Sequence, residues 1–219
     1  MTNQFPQDWN KAVVFVAHPD DVEWGMAPAV SHWTRGGKTI EYVLATSGEA
    51  GIEGMSPEEC GPLREQEQQR AAAHVGVEVV DFLGFPDSRL RNDETLRDAV
   101  AKEIDARRPD VVITCYTGPN YTEEIPNQSD HIEFGNAVHD AVASAEHSPR
   151  WVFENGPGST HCVDVEAEDV QRAVASLAEH KVYLEVLNPD KPAFEQATEL
   201  VEDLATTDDG LLRVGFILK

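Results

Sequence analysis

Residues 12–25 read AVVFVAHPDDVEWG, an uncharged apolar run that leads directly into a histidine and two aspartates. The run at residues 12–17 is short and rich in β-branched side chains, which is typical of a strand buried on both faces of a parallel sheet. His18 then stands at the carboxyl end of this strand. In open parallel α/β sheets, ligands bind just beyond the carboxyl ends of the strands. The stretch therefore predicts an α/β fold with a functional site beginning at His18.

The residues after the predicted strand have the composition of a metal site. Pro19 disfavours a helical conformation at His18 and stiffens the turn, so that His18 and Asp21 can point at a common centre. A buried cluster of this kind is costly unless a cation or hydrogen bonds compensate it. The alternative is that Asp20 or Asp21 caps a helix that starts near Glu23. The stretch alone leaves both interpretations open.

The rest of the chain alternates strand and helix patterns. Further strands are predicted at residues 39–46, 78–83 and 109–114, and helices at residues 23–35, 57–75, 95–107 and 132–146. No internal repeat or low-complexity linker interrupts the alternation, which favours one βαβ-type domain. We therefore predict a single Rossmann-like domain over residues 1–219, with a mostly parallel sheet and helices on both faces.

Composition limits the functions that such a domain could have. The 219 residues carry a formal net charge of −23, which argues against nucleic acid and anionic membranes as partners, because both reward positive charge. Residues 1–11 are polar, and no run of about 18 apolar residues occurs, so we expect no membrane insertion and a cytoplasmic protein. Cys60, Cys115 and Cys162 are widely separated and are predicted to be free thiols.

Two further segments fall at predicted carboxyl ends of strands. The loop SGEAGIEG at residues 47–54 has glycines at 48, 51 and 54, which does not match G-x-G-x-x-G, and it lacks the lysine of a phosphate-binding loop. A nucleotide site is therefore disfavoured, and a mobile rim over a pocket is expected. Asp87 lies in the turn at residues 84–88, where it is either a turn residue or a contact to substrate.

A long polar segment at residues 115–129 brings a second histidine to the same edge of the sheet. Loops of this length in compact domains are frequently functional, and this one delivers Asp130 and His131 to the start of a helix. Together with His18 and Asp21, His131 would make a three-ligand set with an open position, which is the arrangement of catalytic zinc. The other histidines lie on predicted helices (His32, His74, His139 and His147) or in the C-terminal third, which could fold back over the pocket (His161 and His180).

Several short motifs occur in an order that resembles one family. They are AHPDD at 17–21 with Gly25, TSGEAG at 46–51, Arg64 with Glu65 and AAA at 71–73, the segment 83–90, RPDVVI at 108–113, and Asp130-His131. The set resembles the LmbE-like or PIG-L family of zinc-dependent sugar-amide deacetylases. The N-acetylglucosaminyl-phosphatidylinositol deacetylase and the deacetylases of mycothiol and bacillithiol synthesis typify this family. The resemblance covers roughly residues 12–147 and is faint beyond Trp151, so residues 151–219 are expected to complete the domain.

The resemblance implies roles for six residues of this chain. It makes His18, Asp21 and His131 the ligands of Zn²⁺ or another divalent transition metal, Asp20 the general base, and Arg64 and Asp87 contacts to sugar hydroxyls. The implied reaction removes an acyl group, expected to be acetyl, from the amide nitrogen of an amino sugar such as an N-acetylglucosamine derivative. The acyl group, the aglycone and homo-oligomer formation stay open.

The chain departs from the family pattern at one position. Family members often place a histidine three residues before the second metal histidine, where it stabilises the oxyanion and pairs with the intervening aspartate. Here that position is Gln128, and the aspartate is Asp130. A glutamine amide can donate a hydrogen bond but cannot carry charge or act as an acid. The departure leaves three interpretations: a weaker enzyme, a shifted substrate, or His161 or His180 in place of the absent histidine.

Two functions from other classes are alternatives. One is a magnesium-dependent phosphoryl hydrolase that uses Asp20, Asp21 and Glu23. His18 and His131 argue against this function, because Mg²⁺ prefers oxygen ligands. The other is a degenerate, non-catalytic sugar-binding protein, which Gln128 makes conceivable.

Overall fold

The central strand of the molecule is β2 (Lys11–Val16), and its side chains from Ala12 to Val16 are fully buried. In the computed structural model, which describes residues 2–207 and 210–219, β2 pairs in parallel with β3 (Thr39–Leu44) on one side and with β5 (Val111–Cys115) on the other. A strand with neighbours on both sides and helices over both faces has no solvent-exposed surface, which explains why residues 12–16 carry no charge.

The described residues form eight strands and seven helices. The remaining strands are β1 (Asn3–Gln4), β4 (Val79–Phe82), β6 (Trp151–Asn155), β7 (His161–Asp164) and β8 (Arg213–Leu218). The helices are α1 (Ala27–Arg35), α2 (Pro57–His74), α3 (Glu94–Arg107), α4 (Ser129–Ser144), α5 (Ala167–Leu177), α6 (Lys181–Leu187) and α7 (Ala193–Ala205).

All eight strands belong to one sheet, in the order β1-β7-β8-β6-β5-β2-β3-β4. Only β8 runs antiparallel to its neighbours, β6 and β7. Helices α3 and α4 pack against each other in one layer, whereas α1, α2 and α7 all contact α5 in another. The predicted fold class, a Rossmann-like α/β domain with a mostly parallel sheet covered on both faces, is confirmed.

The order of the strands places a ligand site next to β2. From β2 the chain proceeds to β3 and β4 on one side, and β5 then joins the opposite side of β2. Strand order therefore reverses between β2 and β5, and ligands in open α/β sheets bind in the crevice at such a point. Residues 17–21 follow β2 and residues 116–128 follow β5, so both segments border this crevice.

The start of the first helix differs from the prediction. The predicted helix at 23–35 begins only at Ala27, and Met26 occupies its N-cap position, so neither aspartate caps α1. Residues 19–26 form turns instead. Pro28 lies in the first turn of α1, where proline is favoured because no backbone donor is needed there. The turns free both aspartates to face the crevice, so the helix-cap interpretation is wrong.

The C-terminal third joins the same sheet through β6, β7 and β8. Helix α5 then packs against α1 and α2, and the Ser31 hydroxyl donates a 2.9 Å hydrogen bond to Asp169 on α5. The three cysteines are buried free thiols, as predicted. Within the described chain, we find no helix with the length and apolar character needed to cross a membrane.

Candidate active site

Three side chains that the sequence predicts as metal ligands converge at the crevice. One ligand atom each from His18, Asp21 and His131 lies within 4.8 Å of the others. The Nε2 atom of His131 is 3.0 Å from Oδ1 of Asp21, and Nδ1 of His18 is 3.8 Å from Oδ2 of Asp21. The donors are two imidazoles and one carboxylate, which is the donor set of an open catalytic zinc site.

Asn127 fixes which nitrogen of His131 faces this centre. The Asn127 amide donates from Nδ2 to the carbonyls of Tyr116 and Gly118, at 2.7 and 2.8 Å. Its Oδ1 therefore has to face Nδ1 of His131, which lies 3.1 Å away. An acceptor at that position keeps the proton on Nδ1 and leaves the lone pair of Nε2 directed towards Asp21. This outer contact is the kind that orients histidine ligands in metal sites.

Asn127→Leu is expected to weaken Zn²⁺ affinity by about 10-fold or more, since loss of an outer-shell partner typically costs 10–100-fold. The parental protein is the reference, because Asn127→Asp would set a carboxylate oxygen against the carbonyls of Tyr116 and Gly118 and would also change the charge at the site. Competition with a chromophoric chelator measures both affinities. Parental affinity in Asn127→Leu would show that the amide does not orient the ligand.

A second set of groups surrounds the other ring nitrogen of His18. Its Nε2 lies 3.2 Å from Oδ1 of Asp87 and 3.4 Å from Oδ2 of Asp130. Burial alone would lower the pKa of His18, but the carboxylates of Asp130, Asp21 and Asp87 outweigh burial and raise it. Such an excess of buried carboxylates is costly without a compensating cation. The residues present therefore fit a divalent ion.

Asp20 occupies an unusual position beside this centre. Its backbone has a φ of 86°, and its N–H donates a 2.8 Å hydrogen bond to Gln68. Oδ1 lies 3.5 Å from Nη2 of Arg64, whereas Oδ2 is buried and has no hydrogen-bond partner among the described residues. Burial raises the pKa of Asp20 to about 6, although the charge of Arg64 opposes this shift. Strained backbone and an unsatisfied buried carboxylate are features that cluster at functional sites.

Arg64 braces the loops around Asp20. Its Nη1 donates to the carbonyl of Gly48 at 2.9 Å, and its Nη2 donates to the carbonyl of Pro19 at 2.7 Å. Gly48 has a φ of +63°, and a Cβ atom there would lie 2.2 Å from Nη1 of Arg64. Glycine is therefore required at residue 48 by both conformation and space. The sugar contact implied for Arg64 stays a prediction.

Asp87 ties the glycine-rich loop to the site. Its Oδ2 accepts a 2.9 Å hydrogen bond from the N–H of Ala50, and its own N–H donates to Glu49 at 2.8 Å. Gly51 of the same loop lines the cavity described below. The loop at residues 47–54 thus forms a rim of the site, as its position after β3 predicts.

The crevice encloses a cavity of about 230 Å³. Its lining residues are His18, Asp20, Asp21, Gly51, Arg64, Asp87, Ser88, Gln128 and Tyr183. Pockets for drug-sized ligands usually measure about 300–1,000 Å³. A cavity of this size would hold the reacting end of a substrate and leave the remainder outside.

Gln128 and Asp130 lie at the start of α4, beside the cavity. Gln128 is exposed at the N-cap position and lines the cavity. Asp130 is buried, accepts a 3.3 Å hydrogen bond from the N–H of Leu90, and has the imidazole of His18 as its neighbour. The imidazole beside Asp130 is thus that of His18. In the family pattern, the imidazole beside this aspartate comes instead from a histidine at the position of Gln128.

Neither histidine of the C-terminal third takes the place of the absent histidine. His180 is fully buried, with Nε2 3.6 Å from Glu23, and His161 lies on β7 with its ring 5.4 Å from that of Phe153. Neither belongs to the cavity lining. Glu23 is itself buried and accepts from Ser176 at 2.9 Å. Glu23 therefore does not join Asp20 and Asp21 at the site. The magnesium-dependent hydrolase alternative requires all three carboxylates there, so the structure argues against it.

Three functional candidates escaped the sequence analysis. Gln68 holds the backbone of Asp20, Asn127 orients His131, and Tyr183 on α6 lines the cavity. Asn127 lies four residues before His131, so it could have been found from its place in the polar segment. Gln68 and Tyr183 carry no local signal, because only the packing of α2 and α6 brings them to the site.

The fold and the site together define an α/β protein with a candidate catalytic metal centre at the topological switch point. Comparison with known families gives a match over residues 13–142 to the family described as PIG-L: GlcNAc-PI de-N-acetylase. This match covers more than half of the chain. The chain therefore belongs to the PIG-L family, as the motifs indicated.

Curated relatives agree with this assignment. The chain is 28% identical over 148 residues to a Bacillus anthracis protein named "Probable N-acetyl-alpha-D-glucosaminyl L-malate deacetylase 2". This match covers 64% of this chain and 63% of that protein. The chain is 29% identical over 108 residues to the diacetylchitobiose deacetylase of Thermococcus kodakarensis, covering 48% of this chain and 40% of that protein. The matched segments thus span about two to three fifths of these relatives.

The fold as a whole is similar to that of N,N'-diacetylchitobiose deacetylase from Pyrococcus horikoshii. The TM-score is 0.82 at 20% sequence identity, and the match covers 97% of this chain and 84% of that one. At this identity the similarity shows the fold alone.

Proposed function

We propose that this chain is a zinc-dependent N-deacetylase that removes an acetyl group from an amino sugar such as an N-acetylglucosamine derivative. The observation that carries the proposal is the convergence of His18, Asp21 and His131, with ligand atoms within 4.8 Å, beside the partner-free oxygen of Asp20. The names of the Bacillus and Thermococcus relatives support an N-acetylated amino sugar as the substrate class. A cytoplasmic location stays a prediction.

His18, Asp21 and His131 would hold the ion in this proposal. When bound, Zn²⁺ would lower the pKa of a water molecule in the site from 15.7 towards about 7 and polarise the amide carbonyl. Asp21 stays ionised, because the nearby imidazoles of His131 and His18 outweigh burial and hold its pKa well below the usual range. Zinc is favoured by the mixed imidazole and carboxylate donors, and iron or cobalt would suit the same set.

Asp20 carries out the proton transfers. Its carboxylate takes a proton from the attacking water as the bond between water oxygen and acyl carbon forms. It then gives this proton to the amide nitrogen as the carbon–nitrogen bond breaks. The products are acetate and the free amine of the sugar. Arg64 and the Gln68 contact hold Asp20 in place for both steps.

The proposal is tested by amine release from N-acetylglucosamine and N,N'-diacetylchitobiose with the purified protein. We expect Zn²⁺-loaded protein to release amine, EDTA treatment to abolish release, and added Zn²⁺ to restore it. Protein that binds these sugars and the metal but releases no amine would favour the non-catalytic alternative.

A further inference from the structure

Glu23 is a buried carboxylate that neither the metal set nor the proton transfers use. Its side chain is fully buried and lies outside the cavity lining. Glutamate is almost never fully buried unless its charge is paired, because burial of a charge in the protein interior is costly. A buried ion pair is also weak evidence for a role in stability, since well-packed apolar residues of similar volume often replace one without loss. The burial of Glu23 therefore indicates a role beyond stability.

Three elements supply the partners of the Glu23 carboxylate. Nε2 of Gln68 on α2 donates to both oxygens, at 3.3 and 3.4 Å. The Ser176 hydroxyl on α5 donates to Oε1 at 2.9 Å, and Nε2 of His180, just before α6, lies 3.6 Å from Oε2. Burial by itself lowers the pKa of His180, but the carboxylate of Glu23 and its acidic neighbours outweigh burial and raise it. Glu23 thus accepts from two donors beside a ring that favours the charged form.

The contact with Glu23 decides which end of the Gln68 amide faces Asp20. A glutamine amide has a donating end and an accepting end. Because Nε2 is directed at the carboxylate oxygens of Glu23, Oε1 is left to accept the N–H of Asp20, at 2.8 Å. If Glu23 offered no acceptor, the amide would be free to turn, and its donor would then oppose the N–H of Asp20. The carboxylate of Glu23 therefore fixes the orientation of Gln68.

Asp20 depends on such contacts because its backbone is strained. Its φ of 86° lies in the left-handed region that favours glycine, and a residue is held there only where its surroundings impose the conformation. The Asp20 carbonyl accepts from the N–H groups of Glu23 and Trp24, at 2.8 and 3.2 Å. Gln68 accepts from the N–H of Asp20 on the other side. The backbone of Asp20 is thus held at both of its peptide groups, and Gln68 secures the N–H.

On the basis of the proposed deacetylase function, we propose that Glu23 is a positioning residue for the general base, because its carboxylate orients the Gln68 amide that holds the backbone of Asp20. Glu23 acts from outside the cavity and contacts Asp20 only through the backbone and through Gln68. A misplacement of about 1 Å caused by a change far from the chemistry can cost about 100-fold in rate. Loss of the Glu23 contact therefore lowers the rate of proton transfer by Asp20.

The test compares Glu23→Met, which has a similar length but lacks the acceptor oxygens, with Glu23→Gln, which keeps one acceptor oxygen for Gln68. We expect kcat for N-acetylglucosamine hydrolysis to fall by about 10-fold or more in Glu23→Met. In Glu23→Gln it should return to within about 3-fold of the parental value, with KM and zinc content unchanged in both variants. A kcat in Glu23→Gln as low as that in Glu23→Met would overturn the acceptor role of the carboxylate.

Asp169→Leu is the matched control for the loss of a buried carboxylate. Asp169 lies on α5, where it accepts from Ser31 and Arg35, both at 2.9 Å, and it lies outside the cavity lining. This variant should lower Tm and leave kcat parental, so it separates a loss of stability from a loss of positioning.

A second background shows whether Glu23 acts through Asp20. In the Asp20→Asn protein, Glu23→Met should lower kcat by less than about 2-fold, because residues that act as a unit have non-additive effects. A merely structural role would give the same fall in both backgrounds, and that result would overturn the proposal. If Glu23→Met does not fold, Gln68→Met breaks the same link and is expected to give the same pattern in the two backgrounds.

Amide hydrogen exchange measures the link without turnover. We expect the N–H of Asp20 to exchange about 10-fold or more faster in Glu23→Met than in the parental protein, while the N–H of Val14 on β2 keeps the parental rate. Faster exchange at Asp20 in a protein that hydrolyses no N-acetyl sugar contradicts only the proposed function. Parental exchange at Asp20 would show that the Glu23 carboxylate does not hold its backbone. Parental kcat in Glu23→Met would show that this contact does not position the general base.

Discussion

Asp20→Asn is expected to lower kcat by about 100-fold or more while the protein keeps its metal. General base catalysis typically supplies 10²- to 10⁴-fold, and an asparagine amide cannot accept the proton of the attacking water. The neighbouring Asp21→Asn should break a different step, because it removes an anionic ligand. Its metal affinity and activity should fall together and recover in part with added Zn²⁺. Metal content and kcat are measured on the same preparations of both variants.

The stability of Asp20→Asn gives this prediction a second readout. Oδ2 of Asp20 is buried without a hydrogen-bond partner among the described residues, so the ionised carboxylate is unfavourable in the folded state. A neutral amide of the same shape relieves that cost, and we expect a Tm equal to or above the parental value. Loss of activity without loss of stability marks a residue kept for function. Near-parental kcat, or loss of metal as readily as in Asp21→Asn, would mean that the roles of the two aspartates are wrongly assigned.

The fold could be predicted because its signals are local. The apolar run at residues 12–17 has the sequence of a strand covered on both faces, and β2 lies in the middle of the sheet with β3 and β5 beside it. Seven of the predicted elements differ from the observed bounds by no more than three residues at each end. The eighth, the helix predicted from Glu23, starts late because the chain first turns through residues 19–26.

The convergence of the candidate metal ligands could be predicted for a topological reason. His18 and His131 are far apart in sequence, but both follow parallel strands whose carboxyl ends meet at one edge of the sheet. The family pattern supplied the choice between Asp20 and Asp21, and the different surroundings of the two carboxylates are consistent with it. Asp21 lies 3.0 Å from His131, whereas Asp20 faces Arg64 at 3.5 Å.

The remaining parts of the site depend on contacts that no local pattern encodes. Gln68 is one of several glutamines on a helix of weak amphipathic character, and only the packing of α2 beside residues 19–26 gives it a role. Tyr183 lies on a seven-residue helix in the segment where the family resemblance is faint. Tyr183 reaches the cavity because the C-terminal third packs against the rest of the domain. The sequence does not predict that packing.

Alanine at either His18 or His131 is expected to reduce bound zinc from about one ion per chain to a small fraction of that, with loss of activity. Removal of one imidazole leaves two protein ligands, which is too few for a tightly held catalytic zinc. Elemental analysis after dialysis against a metal-free buffer measures the zinc content. His74→Ala is the matched control, because His74 lies on α2 and pairs with Glu179 at 3.0 Å, away from the cavity.

The two histidine variants also decide where the ion sits. His18 belongs both to the set with Asp21 and His131 and to the set with Asp87 and Asp130, whereas His131 belongs only to the first. An ion in the first set is lost from both variants. An ion held by the second set would be lost from His18→Ala but kept by His131→Ala, and that result would contradict the assignment. Because His131 is oriented by Asn127 and faces Asp21 at 3.0 Å, we expect loss from both.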